Sequence, residues 1–218
     1  MRWVLDIDEL ARLWHECRRC AYLAAARQFP RPGGAADDAV SRLATAIAGQ
    51  ALDKVGRGAP PAIVAPGSTL ISAPCDVPLP DRVERCAVRV KPDLIATSEK
   101  ATVIAAIAVG DPGAVGEAAL SRRLHAAAWA LERPVKGTPI EVGAVGVLVW
   151  TSGDAVIGDP GAAALTGTLD WRPLERDDAE FLGFLAEVAA MLAEPSPPVG
   201  AALCPWCVYR DASRRTGL

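Results

Sequence analysis

Two C-x-x-C pairs stand at opposite ends of this 218-residue chain: Cys17-Arg18-Arg19-Cys20 near the start and Cys204-Pro205-Trp206-Cys207 near the finish. One such step brings two thiolates within reach of a single metal centre. Two steps supply the four thiolates of a tetrahedral zinc site or an iron–sulfur cluster. In a zinc ribbon the pairs lie close in sequence. Here most of the chain separates them, so a site shared by Cys17, Cys20, Cys204 and Cys207 ties the two ends of a domain together. The bland alternatives are a redox role for one pair, or simple burial of small apolar side chains. Cys75 and Cys86 stand singly and are expected to be structural.

Composition narrows the class. The chain is 51% hydrophobic and 22% charged, with a mean hydropathy of +0.20. It can bury enough apolar surface to offset its ordering entropy, which excludes global disorder. One domain over 1–218 is expected, with 1–34 and 195–218 forming the cysteine clasp. The longest apolar runs, Ala101–Gly110 and Val142–Trp150, fall short of the ~18–20 residues that cross a bilayer. Met1–Leu10 carries Arg2, Asp6, Asp8 and Glu9 and so does not read as an apolar leader. A soluble, cytoplasmic protein without a membrane partner is the expectation, and such a compartment disfavours disulfides. The net charge of −3 and pI near 5.5 argue against a chain-wide nucleic-acid footprint while leaving room for a local basic groove.

Periodicity predicts an alternating order. Helical spacing runs over Asp6–Gln28, with Asp6 or Asp8 as cap, and over Asp37–Gly56 with Val40, Leu43, Ile47, Ala51, Leu52 and Val55 on one face. Pro30–Gly34 breaks the first helix, and Gly56–Gly67 reads as a Pro/Gly connector. Strands are expected over Leu70–Cys75, over Arg82–Thr97 as one or two, and over Ala101–Val109 as a strand buried on both faces. A helix within Pro112–Glu132, strands over Val142–Thr151 and Leu165–Pro173, and a helix over Glu175–Glu194 follow. Pro195–Pro198 links to a cysteine tail. This is an α/β order with a mixed central sheet flanked by helices. His15 and His125 read as helical packing residues, with His15 near enough to the first cysteine pair to be a ligand candidate. Arg18, Arg19, Arg27 and Arg31 surround the first cysteine pair, and Arg210, Arg214 and Arg215 follow the second. If the pairs meet, these arginines converge on one surface able to contact phosphates.

Three segments carry a family resemblance. The first is Cys17–Leu23 with Phe29–Gly33. The second is Val90-Lys91-Pro92-Asp93-Leu94-Ile95 with Val103–Pro112. The third is Glu194–Pro197 with Cys204–Arg210. Together they resemble the PD-(D/E)XK nuclease superfamily, in its RecB-type exonuclease and CRISPR-adaptation branch. The resemblance implies a PD-(D/E)XK-like core with a terminal four-cysteine clasp, and a [4Fe-4S] cluster in that clasp. The branch usually places one cysteine upstream and three downstream, whereas this chain splits them two and two, so Zn²⁺ is the alternative. It also implies phosphodiester hydrolysis by a divalent ion held between carboxylates on adjacent strands, with a lysine on the same strand face.

This chain departs from that pattern at the chemistry. Asp93 fills the first carboxylate position. Aligning Gly110-Asp111-Pro112 with the family's G-D-P puts Ala106 at the second carboxylate and Ala108 at the lysine, and Arg123 and Ala127 stand where Q-x-x-x-Y is usual. A methyl group binds no Mg²⁺, so only weak Mg²⁺ binding is expected at Asp93. The leading expectation is a catalytically impaired nuclease-fold protein of DNA processing or defence. It would bind DNA, with Arg18, Arg19 and Arg123 as candidate contacts, or a protein partner. The alternatives are an active nuclease with ligands relocated to Asp111 or Glu117, a chain inactivated by substitution, and a metal-clasped interaction module without nucleic-acid binding.

Overall fold

Asp6 closes a short strand and opens a helix. In the computed structural model the described residues are 3–27, 29, 31, 35–55, 68–97, 101–157 and 163–216. Strand β1 (Trp3–Asp6), which periodicity does not reveal, leads into α1 (Ile7–Glu16). The Asp6 carboxylate accepts the Glu9 backbone N–H at 3.4 Å, satisfying one of the orphan donors of the first turn. The single helix expected over Asp6–Gln28 is two helices. Cys17 has extended backbone (φ −165°, ψ 107°) between α1 and α2 (Arg18–Arg27). The break costs few hydrogen bonds, because Cys17 N–H still donates to Leu13 O (2.8 Å) and its carbonyl accepts from Ala21 N–H (3.1 Å).

Helix α3 (Ala35–Val55) follows. Of its expected apolar face, Val40 is exposed and Leu43 and Ile47 are half-buried, while Ala48 is buried. The connector over 56–67, most of the 30–34 break, Gln28 and the side chains of Ala51, Leu52 and Val55 lie outside the described residues.

Among the described residues the strands form two mixed four-stranded sheets rather than one. The first is built on β4 (Arg82–Val90), with β1 parallel on one side. On the other side β2 (Leu70–Ile71) and β3 (Cys75–Leu79) run antiparallel. The strand expected over Leu70–Cys75 is thus interrupted. Buried Ser72 fills the gap, its hydroxyl accepting the Val88 N–H at 3.2 Å and donating to Ala73 O at 3.0 Å.

The second sheet runs β5 (Leu94–Thr97), β6 (Thr102–Val109), β7 (Val142–Ile157), β8 (Ala163–Leu174). Pro92, which has no N–H, sits in the break between β4 and β5. Strands β6 and β7 are parallel and therefore need a crossover. That crossover is α4 (Gly113–Glu132), which packs against strands of both sheets and against α1. Helix α5 (Asp178–Ala193), capped by Asp177, lies against β3, α2 and α4. Its Phe184 meets Trp14 edge-on at 5.4 Å. The expected tail is a helix, α6 (Pro205–Thr216). Among the described residues no helix is long and apolar enough to cross a membrane.

Candidate functional site

The break at Cys17 turns its sulfur toward the other end of the chain. Cys17 precedes α2 and Cys20 lies in its first turn; Cys204 precedes α6 and Cys207 lies in its first turn. Each C-x-x-C pair thus straddles a helix N-terminus, where the helix dipole favours thiolate over thiol. The two N-termini meet. Sγ separations are 3.6 Å for Cys17–Cys207, 3.7 Å for Cys20–Cys204 and 3.8 Å for Cys20–Cys207. All four sulfurs lie within 4.8 Å of one another and all four residues are buried. Burial pushes the Cys17 thiol up, but N–H groups of Ala201 and Cys20 and the neighbouring thiols outweigh it and bring Cys17 to about 7. Burial raises Cys20, and raises Cys207 to about 11.

The chain around the sulfurs is shaped to them. The Ala201 N–H donates to Cys17 Sγ at 3.4 Å. A Cβ on Gly200 would stand 2.8 Å from Cys207 Sγ, so only glycine lets this loop pass. The Arg19 side chain crosses over Gly200 and pairs with Asp211 at 3.2 Å, linking α2 to α6. Four convergent buried cysteine sulfurs, with a backbone N–H donated to that of Cys17, are a donor set that can hold a metal. His15 is exposed, contacts Arg122 at 2.7 Å and is no part of the cluster. His125 is buried and structural: Nδ1–H donates to Ser121 O at 2.7 Å and Nε2 accepts the Asp177 N–H at 2.8 Å.

The arginines near the clasp are mostly engaged within the chain. Arg18 lies 3.4 Å over the Trp14 ring and pairs with Glu187 at 3.5 Å. Arg31 pairs with Glu16, and Arg210 sits over Phe29. Arg123 is elsewhere, in a second cluster. Asp93, just before β5, accepts the Ile107 N–H at 2.8 Å. Ala106 and Ala108 are buried on one face of β6. From α4, Arg123 donates to Asp93 Oδ1 at 3.2 Å, to the Lys91 carbonyl at 3.3 Å and to Asp8 Oδ1 at 2.6 Å. The second Asp8 oxygen accepts the Lys91 N–H at 2.7 Å. Burial opposes the Arg123 charge, yet Asp93 and Asp8 more than offset it and hold its pKa above the ordinary value. Burial raises the Asp8 pKa, with Arg123 opposing. Asp111 and Glu117 instead face Arg172 of β8, at 3.7 and 3.8 Å.

Two features escaped sequence reasoning. Asp8 reads there only as a cap candidate, because nothing local shows that α1 meets α4. Cys75 and Cys86 are not solitary: they are directly opposed across β3 and β4, both buried. The Cys86 thiol lowers the Cys75 pKa to about 7, and the same contact and burial raise Cys86. The Pro80-Asp81 turn midway between them was the available signal.

No protein-family model and no curated protein matches the chain. Among solved structures it is similar to the crystal structure of SSO0001, at 14% identity and a TM-score of 0.44, covering 97% of this chain and 85% of that one.

Proposed function

We propose that this chain is a metal-clasped protein of PD-(D/E)XK nuclease type that binds DNA or a protein partner in DNA processing or defence without hydrolysing phosphodiesters. The observation that carries the reading is the Arg123 guanidinium between Asp93 and Asp8. Hydrolysis of this type requires a divalent ion among carboxylates beside a lysine. In this chain an organic cation already bridges the carboxylates, and the methyl groups of Ala106 and Ala108 line the neighbouring strand. The order of Asp93, β5, β6, α4 and parallel β7 supports the nuclease-type assignment.

The sulfur separations support a single tetrahedral ion of the zinc class in the clasp over a [4Fe-4S] cluster. Four Zn–S bonds of ~2.3 Å define a tetrahedron with edges of roughly 3.8 Å; three of the six separations here are 3.6, 3.7 and 3.8 Å and none exceeds 4.8 Å. A cubane holds each thiolate on a different iron and spreads the sulfurs further apart. Closed four-thiolate coordination leaves no position for substrate, so such an ion is structural.

The test is cleavage of single- and double-stranded DNA by the purified chain with Mg²⁺ or Mn²⁺, beside binding at several salt concentrations. No cleavage is expected. Metal-dependent cleavage that disappears in Asp93→Ala would overturn the reading. Metal analysis of the same preparation is expected to give one zinc per chain, and about four irons would overturn the single-ion assignment.

A further inference from the structure

Strand β8 forms the outer edge of the second sheet and, among the described residues, pairs only with β7. Its residues 165–173 are all exposed. Alternation along the strand puts Leu165, Gly167, Leu169, Trp171 and Pro173 on one face and Thr166, Thr168, Asp170 and Arg172 on the other. The apolar face is left open: Leu165 is 55%, Leu169 40% and Trp171 43% exposed. Cross-strand packing orders it nonetheless. The Trp171 ring lies where a Cβ on Gly146 would be, and the Trp150 ring where one on Gly167 would be. A long edge with an apolar face is a template for another strand, and the guards it carries, Asp170, Arg172 and Pro173, include charges of both signs.

The charge order identifies the occupant. We infer that two copies of this chain associate through β8, paired antiparallel about a two-fold axis at Trp171. In that register residue 170 of one copy opposes residue 172 of the other. Asp170 meets Arg172 twice, once on each side of the axis. On the opposite face Trp171 meets Trp171, and Leu169 meets Pro173. Directly opposed side chains in an antiparallel pair stand ~4.5–5.5 Å apart at Cβ, close enough for each pair to count. The surface is therefore complementary to itself, as an isologous interface requires. Pairing joins two four-stranded sheets into one. The reach of Arg172 toward Asp111 and Glu117 (3.7 and 3.8 Å) is long and exposed, so the guanidinium is available to a closer carboxylate.

Sedimentation of the full chain over a range of concentrations tests this. The wild-type chain is expected to dimerise. Asp170→Arg places like charges opposite each other twice and is expected to weaken the dimer at least ~tenfold. Arg172→Asp is expected to do the same with opposite sign. Mixing the two variants restores both ion pairs and is expected to give a heterodimer of near wild-type affinity. Both positions are exposed, so circular dichroism and bound metal should be unchanged in each variant. A wild-type chain that stays monomeric overturns the inference. So does a dimer indifferent to Asp170→Arg, or a mixture of folded variants that fails to associate.

Discussion

At the residue scale, two small substitutions report on the two clusters. Gly200 passes against Cys207 Sγ, so Gly200→Ala must push the loop and its Ala201 N–H off the sulfurs. Metal affinity should fall ~10-fold or more, the usual cost of disturbing groups that support ligands. Competition with a chelator of known affinity checks this, and unchanged retention would show that the loop does not support the site. Arg123→Gln removes the cation between Asp8 and Asp93 while keeping a polar group. These side chains are partly exposed, at 23%, 29% and 24%, so a loss of about 1–3 kcal/mol is expected at pH 7. The sign of the pH dependence follows from Asp8. Its folded pKa is already raised, so its contribution is fully present below the unfolded value and falls as pH rises through the folded one. Without Arg123 that fall steepens. The deficit of the variant should therefore be large at pH 7 and shrink toward pH 4, as urea unfolding at the two pH values would reveal.

At the scale of elements, α4 joins the two sheets through polar contacts at its C-terminal end as well as through its apolar face. Arg176, between β8 and α5, donates to Glu132 of α4 at 2.7 Å and to Asp178 of α5 at 2.8 and 2.9 Å. Hydrogen bonding from Arg176 holds both carboxyls below their ordinary values. Depressed folded pKa values contribute stability above the unfolded values of 4.5 and 3.8. That stability is lost as pH falls through the folded ones. Arg176→Met should thus cost about 1–2 kcal/mol at pH 7 and little at about pH 2–3. Denaturation midpoints across that range would check it. The helical spacing that reveals α4 and α5 in the sequence is apolar spacing. The Glu132–Arg176–Asp178 group joins two helices through the loop before the second and has no periodic trace.

At the scale of the molecule, the clasp fastens α2 to α6 at opposite ends of the chain. Metal bound by the folded state but not the unfolded one adds stability by mass action. Removal by a strong chelator should lower the melting temperature. Loss of hydrogen-exchange protection should concentrate in α2 and α6 while β6 and β7 keep theirs. Equal loss across both sheets would mean that the clasp is part of the folding core rather than a fastening on it. Much of this was legible in advance. The spacing of Cys17, Cys20, Cys204 and Cys207 specified the cluster, because a four-thiolate centre needs only two local steps and a fold that closes. The helix break at Cys17 was not legible, because the apolar spacing of α1 continues through α2.

By itself the sequence determined which four cysteines can meet at one metal and which strand is buried on both faces. These are local matters of side-chain chemistry and period. Only the tertiary structure decided where charges are neutralised. It placed Arg123 between Asp8 and Asp93, paired Arg18 and Arg19 with Glu187 and Asp211, and divided one expected sheet into two. Electrostatic energy depends on distance and burial between residues far apart in sequence, and a linear pattern carries neither.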